Sequence, residues 1–229
     1  MKILSIGKKI QHANLEIISF EFSALEKIDE ITLYDYIIIT GGDGAVRRAI
    51  KQLLKLNQTL PPFILNAKGS FNVVAKLHRA PKLTKVLDKL AENKPLNLNK
   101  QSIYALNHEV FLFSAGNMND LQHIFFSEII RFGFLKKGML KYLVSAFLLL
   151  PVHIMTLPFM LMSNKRFFIF APARFIKKLG SFYGQVPEIK IDLDNYYNLV
   201  ELDGDVVTIE EAIFNIRTVG EMQVVTKLT

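Results

Sequence analysis

The 229-residue chain contains no cysteine, so disulfides and thiolate metal sites are excluded, and a reducing cytoplasm is compatible with that composition. Five histidines, at 12, 78, 108, 123 and 153, stand far apart, without the spacing of a zinc or iron site. Acidic residues are the minority: 21 Asp and Glu against 28 Lys and Arg, a formal charge of +7. Such an excess suits an anionic partner. The basic residues are not clustered and no RNP-type motif is present, so nucleic acid is not the expected partner. There is no internal repeat and no low-complexity stretch. The N-terminal "MKILSIGKK" has too short an apolar run for a signal peptide and reads as a first strand.

One stretch lacks charge altogether. From Tyr142 to Met162 there is no Asp, Glu, Lys or Arg, while Lys136, Lys137 and Lys141 precede it and Lys165 and Arg166 follow. Three readings stay open: a transmembrane span, a buried core helix, or a helix or hairpin lying in a membrane surface. Pro151, Pro158 and His153 weigh against the span.

Half the residues are hydrophobic, ample for a core. Up to about residue 95 strands and helices alternate. "MKILSI", "EIISFEF", "YDYIIIT" and "PPFILN" are strand-like. "AVRRAIKQLLKL" has helical period, with Val46, Ala49, Ile50, Leu53 and Leu54 on one face and Arg47, Arg48, Lys51 and Lys55 on the other. "SFNVVAKLHR" and "LTKVLDKLAEN" are further helices, and the rhythm predicts a parallel sheet flanked by helices. Beyond residue 95, "SIYALN" and "EVFLFSAG" read as a strand pair, and "DLQHIFFSEIIRF" and "GMLKYLVSAFLLL" as helices. "EIKIDLD", "YNLVELDG", "AIFNIRTV" and "MQVVTKL" read as strands separated by turns. The expectation is an α/β domain over 1–95 and a β-rich domain over 96–229.

Three junctions carry possible chemistry. Gly41-Gly42-Asp43-Gly44 follows a hydrophobic strand and opens a helix, where ligands bind in open α/β sheets and where N–H groups attract phosphate. It matches neither G-x-G-x-x-G nor the Walker A pattern. The plainer alternative is that Asp43 caps the helix it opens. Gly69-Ser70-Phe71-Asn72 repeats the arrangement after the next strand. There Ser70 either caps a helix or, with Gly69 and Asn72 and with Lys68 or Lys76 nearby, contacts phosphate or ribose. Far away, Asp203-Gly204-Asp205 is either a hairpin turn or a pair of carboxylates sharing one face of an extended segment, fit to hold Mg²⁺ or accept a hydroxyl proton.

In this order the three segments resemble the diacylglycerol kinase catalytic domain, shared by bacterial lipid kinases and sphingosine and ceramide kinases and, more distantly, NAD kinases. Gly41-Gly42-Asp43-Gly44-Ala45 is similar to that family's G-G-D-G-T, "AKGSFNVVAK" to P-x-G-T-x-N with its apolar continuation, and Asp203-Gly204-Asp205 to D-G-E. The likeness runs over roughly residues 35–229. It implies an N-terminal α/β nucleotide-binding domain and a C-terminal β-sandwich-like domain. It also implies ATP and Mg²⁺ as cofactors, and transfer of the γ-phosphate to a membrane lipid at an anionic membrane surface on the cytoplasmic side; a homodimer stays open. Carried over, Gly41, Gly42, Asp43 and Gly44 line the triphosphate, and Lys68, Gly69, Ser70 and Asn72 complete the nucleotide site. Asp203 is the general base, with Asp205 supporting it or Mg²⁺, and Asp43 counts with them in the catalytic set. The departures are Ala45 for Thr, Ala67 for Pro, Asp205 for Glu, and "SIGKKIQHANLEI" where the family has Asn-Pro-x-x-Gly and a helix. They keep a second reading open: a nucleotide- or lipid-binding relative with impaired catalysis.

Overall fold

Strands β1 (Lys2–Ile6), β2 (Glu16–Phe20), β3 (Tyr36–Gly41) and β4 (Phe63–Ala67) lie parallel in the order β2-β1-β3-β4. The run "YIIIT" is apolar without alternation because a parallel sheet is covered on both faces; Ile37, Ile38 and Ile39 are all buried. Helices α1 (Asp43–Leu54), α2 (Val73–Leu77) and α3 (Leu83–Ala91) connect these strands and follow them. Val86, Leu87 and Leu90 of α3 pack on Ile3, Ile38 and Ile64. Val46, Ala49, Ile50 and Leu53 of α1 are buried as its period predicts, but so is Arg47, which the pattern placed on the solvent face.

This is a computed structural model of the whole chain, and the residues described are 1–118, 126–127, 129–130, 140–173, 175–185 and 188–227. The helix expected over "DLQHIFFSEIIRF" falls mostly outside them, and Lys136, Lys137 and His123 fall outside entirely. The chain forms two compact units, Met1–Ile103 with Val219–Thr229, and Tyr104–Thr218. The sequence suggested one boundary near residue 95; in the structure the last strand returns to the first unit. Its end pairs in parallel with β4, Val224 opposite Phe63.

The second unit is β-rich. β5 (Leu98–Leu106) enters it and pairs antiparallel with β6 (Glu109–Phe111). Beyond these come β7 (Ser114–Gly116), β8 (Phe168–Phe170), β9 (Lys178–Leu179), β10 (Phe182–Tyr183), β11 (Glu188–Asp192), β12 (Asn198–Leu202), β13 (Asp205–Ile209) and β14 (Ile213–Val225). One sheet has the order β13-β12-β7-β8-β10-β9, and β11 pairs with β14 in the other. Side chains from both sheets make one core in which Tyr104 stacks on Phe111 at 5.1 Å and Phe167 meets Phe214 edge-on at 5.9 Å. Two expectations change here. "EVFLFSAG" is not one strand but two, β6 and β7, in different sheets. "AIFNIRTV" and "MQVVTKL" are one strand, β14: Gly220 sits inside it and makes no turn, with open space where a Cβ would be.

Helix α4 (Leu140–Met162) carries the uncharged stretch. It is not a buried core helix: only 6% of its most apolar 18-residue stretch is buried.

Candidate functional site

The parallel register sets Gly41 opposite Ala67, so the two glycine turns leave adjacent strands side by side. The Lys68 N–H donates to the Gly41 carbonyl at 2.9 Å. The turns then touch through backbone. A Cβ on Gly69 would fall 2.5 Å from the Gly42 Cα, and one on Gly42 would fall 2.9 Å from the Gly69 Cα. Any side chain at either position forces the loops apart. Gly41 has its own reason to lack a Cβ, which would stand 2.4 Å from the Ala45 Cβ.

Asp43 explains why an acid stands among these glycines. It does not cap α1, whose N-cap is Gly42 with no side-chain cap. Its carboxylate instead accepts the N–H groups of Val73 and Val74, at 2.8 and 3.0 Å, and so caps α2. The acid of the first motif is thus the cap of the second. Asn72 sits in the left-handed region at φ 51° and closes its own loop. Its Oδ1 accepts the Gly69 N–H at 2.8 Å while its Nδ2 donates to the Gly69 carbonyl at 2.6 Å. Ser70 is exposed and caps nothing, because the helix begins later, at Val73, and Asp43 already holds its first N–H groups. Lys68 and Lys76 are exposed beside these loops.

Asp43 is 9% exposed. Burial pushes its carboxyl above the ordinary 3.8, against the opposing pull of the Val73 and Val74 N–H groups and the Lys76 charge. A folded-state pKa raised above the unfolded one means the folded chain holds the proton more tightly. The group's contribution to stability is therefore full below 3.8 and is lost as pH rises through the folded midpoint. A carbon-detected NMR titration of the carboxyl is expected to place that midpoint above 3.8; one below it would mean that the two N–H bonds outweigh burial.

The residues past β1 add a feature the motifs do not include. Gly7 turns the chain at φ 88°, where a Cβ would meet the Thr40 carbonyl at 2.9 Å. Lys8 and Lys9 follow, and with Asn66, Lys68, Lys82 and Thr84 they line a cleft of about 650 Å³. It opens at the carboxyl ends of β1 and β4, the side of a parallel sheet where ligands bind. The only sequence signal for it was the Lys-Lys pair directly after the first strand.

In the second unit Asp203 and Gly204 both have positive φ, 52° and 88°, and form the tight turn between β12 and β13. The hairpin reading of this motif is therefore correct as far as it goes. The expectation that Asp203 and Asp205 share one face of an extended segment is not, because the chain is not extended there. Asp203 is buried, and its carboxylate accepts three backbone N–H groups: Leu112 at 2.7 Å, Phe113 at 2.9 Å and Ser114 at 3.1 Å. Asp205 is half-buried at the start of β13. A residue the motif reading missed stands beside them. Glu201 is buried and accepts from the Ser114 hydroxyl at 2.9 Å and from the Gly204 N–H. An acid two places before the turn aspartate was its only signal.

Among the described residues no cluster of three His, Asp or Glu side chains forms a cation cage. Both Asp43 oxygens are engaged by N–H groups, which does not fit direct ligation by that residue. Mg²⁺ commonly arrives with substrate phosphates and needs few protein ligands.

A parallel sheet with paired glycine turns at its carboxyl edge, joined to a β-rich unit, defines a nucleotide-type α/β domain with a β-sandwich partner. Residues 5–101 match the profile of the diacylglycerol kinase catalytic domain, the family that the ordered motifs resemble. The fold agrees: a candidate diacylglycerol kinase from Bacillus anthracis str. Sterne aligns at TM-score 0.55 and 14% identity, over 99% of this chain and 97% of that one. A second solved structure from that organism, also a candidate diacylglycerol kinase, gives TM-score 0.54 at 14% identity with the same coverage. No curated protein matches the sequence.

Proposed function

We propose that this chain is an ATP-dependent kinase that transfers the γ-phosphate to the hydroxyl of a diacylglycerol-like lipid. The observation that carries the reading is the locked pair of glycine turns. Backbone contact at Gly42–Gly69 and the Asp43 cap hold two loops at one sheet edge, and the α1 N-terminus opens between them without a side-chain cap. Phosphate is attracted by such N–H groups and by the positive end of the helix dipole. Lys8, Lys9, Lys68 and Lys82 add positive charge around the adjoining cleft. Phosphoryl transfer asks mainly for positioning and charge neutralisation. Mg²⁺, bound with the nucleotide, supplies part of that neutralisation.

In the step itself the lipid oxygen bonds to the γ-phosphorus, the bond from that phosphorus to the bridging oxygen breaks, and ADP leaves with the electron pair. The lipid hydroxyl proton passes to a carboxylate, which we assign to Asp203 with Asp205 in support. The test is label transfer from γ-labelled ATP and Mg²⁺ to a panel of lipids in mixed micelles. A labelled lipid is expected, and no label on any lipid would overturn the reading.

A second reading, a binding module without turnover, is favoured by one observation. Three N–H bonds already occupy the Asp203 carboxylate. Tight ATP binding with no label transfer would establish it.

A further inference from the structure

Helix α4 is built inside out. A helix on a soluble protein turns its apolar stripe inward. Here the residues turned toward the protein include the polar ones: Lys141 and Ser145 are buried, and His153 and Thr156 on the same stripe are half-buried. The outward faces are large and apolar, with Phe147 at 74%, Met155 at 73%, Phe159 at 76% and Met162 at 86% exposure. The polar side chains also satisfy themselves on the helix's own backbone. Ser145 donates to the Lys141 carbonyl at 2.8 Å, Thr156 to Val152 at 2.9 Å, and His153 Nδ1 to Leu149 at 2.6 Å. Bonding to the carbonyl four residues back is the solution where no water is at hand. Two prolines inside the helix, Pro151 and Pro158, are of the kind that lipid-embedded helices tolerate.

Charge completes the picture at one end. The Leu161 carbonyl accepts the Ser181 N–H at 3.0 Å, which fastens the β9–β10 hairpin to the end of α4. That hairpin and its approach expose Lys177, Lys178, Leu179 and Phe175, the last at 87%. Cations and an aromatic ring at the end of an apolar helix are the side chains of a bilayer interface. A protein groove or a second copy covers one stripe of a helix; it does not call for apolar residues around the rest of its circumference, nor for this basic collar.

We infer that α4 is sunk in the hydrocarbon of one leaflet of an anionic bilayer, lying along the surface and not crossing it. Its two ends lie roughly 34 Å apart at 1.5 Å per residue; Lys141 and Ser145 are buried at the start, and the Leu161 and Ser163 carbonyls accept from Ser181 at the finish, so neither end stands free of the protein. A crossing helix must have its ends on opposite sides. The inference stands apart from the kinase reading, since its test uses neither nucleotide nor phosphorylation.

The natural absence of cysteine allows single reporters. Phe147→Cys, Met155→Cys and Phe159→Cys, each carrying an environment-sensitive fluorophore, are mixed as full-length protein with vesicles of phosphatidylcholine and phosphatidylglycerol. All three labels are expected to shift to the blue and to be quenched to similar, shallow depth by spin-labelled lipids. Lys177→Glu with Lys178→Glu is expected to weaken vesicle binding roughly tenfold or more, since each basic residue near an anionic surface counts, and to leave the circular dichroism spectrum unchanged. No shift on adding vesicles would overturn the inference. So would a shift that follows protein concentration and ignores lipid quenchers, which would mean a second copy covers the helix. Quenching deepest at the middle with the two ends reached from opposite faces would overturn the one-leaflet placement.

Discussion

Asp43→Ala is expected to destabilise the first unit by about 2–4 kcal/mol, because it strips the acceptor from two backbone N–H groups that have no other partner in the fold's design. The cost falls on α2, thirty residues away in sequence, and not on the helix that Asp43 opens: the bonds lost are those to Val73 and Val74. α2 has only five residues and no side-chain cap of its own, so propensity alone cannot hold it. Hydrogen exchange of the Val73 and Val74 amides checks this. Their protection is expected to fall sharply in the alanine variant while that of the α1 amides changes little. A loss confined to α1 would mean that the aspartate caps its own helix after all.

The second large effect is expected at Asp203. Asp203→Ala removes the carboxylate that accepts the Leu112, Phe113 and Ser114 N–H groups, all buried, and it puts a residue with a Cβ but no polar group at φ 52°. A loss of about 3–5 kcal/mol follows from three lost bonds to a charged acceptor, partly relieved by water, and denaturant unfolding of the second unit measures it. Asp203→Asn is the informative partner. Asparagine tolerates the left-handed region and keeps one acceptor oxygen, enough for the Phe113 and Ser114 N–H groups that share Oδ1, so only the Leu112 bond to Oδ2 is lost. A folded Asn variant that no longer transfers phosphate marks Asp203 as the base. A folded Asn variant with full transfer reduces Asp203 to a structural residue.

Much of this was legible in the sequence, and what was not has physical causes. "YIIIT" and "FILN" announced a parallel sheet because a strand covered on both faces has no polar side. The two glycine turns could be located from their place after those strands. Their contact could not: that Gly42 and Gly69 lie backbone to backbone depends on the register Gly41 opposite Ala67, and register is a pairing of distant segments. The same limit hid the role of Asp43. Local rules offer an aspartate at a helix start its own helix, and only the neighbouring strand brings another helix within 3.0 Å. The carboxylate pair at Asp203 and Asp205 was misjudged for a different reason. Alternation by two holds only for extended chain, and the Asp-Gly step is the one most apt to leave it. Gly220 erred in the opposite direction, a turn signal inside an unbroken strand: nothing stands within 4 Å of where its Cβ would be, so neither packing nor a turn requires glycine there.

The paired turns are the centre of the account, and label transfer from γ-labelled ATP to lipid tests them most directly when run on the wild-type chain beside Gly69→Ala. The added methyl must push the two turns apart from a contact of 2.5 Å, a displacement of the size that costs about 100-fold in rate when it misplaces a reacting group. The account predicts a labelled lipid from the wild type and a fall of about that size in the variant, with the parallel sheet intact by circular dichroism. Equal transfer by both proteins, or none by the wild type, would contradict it.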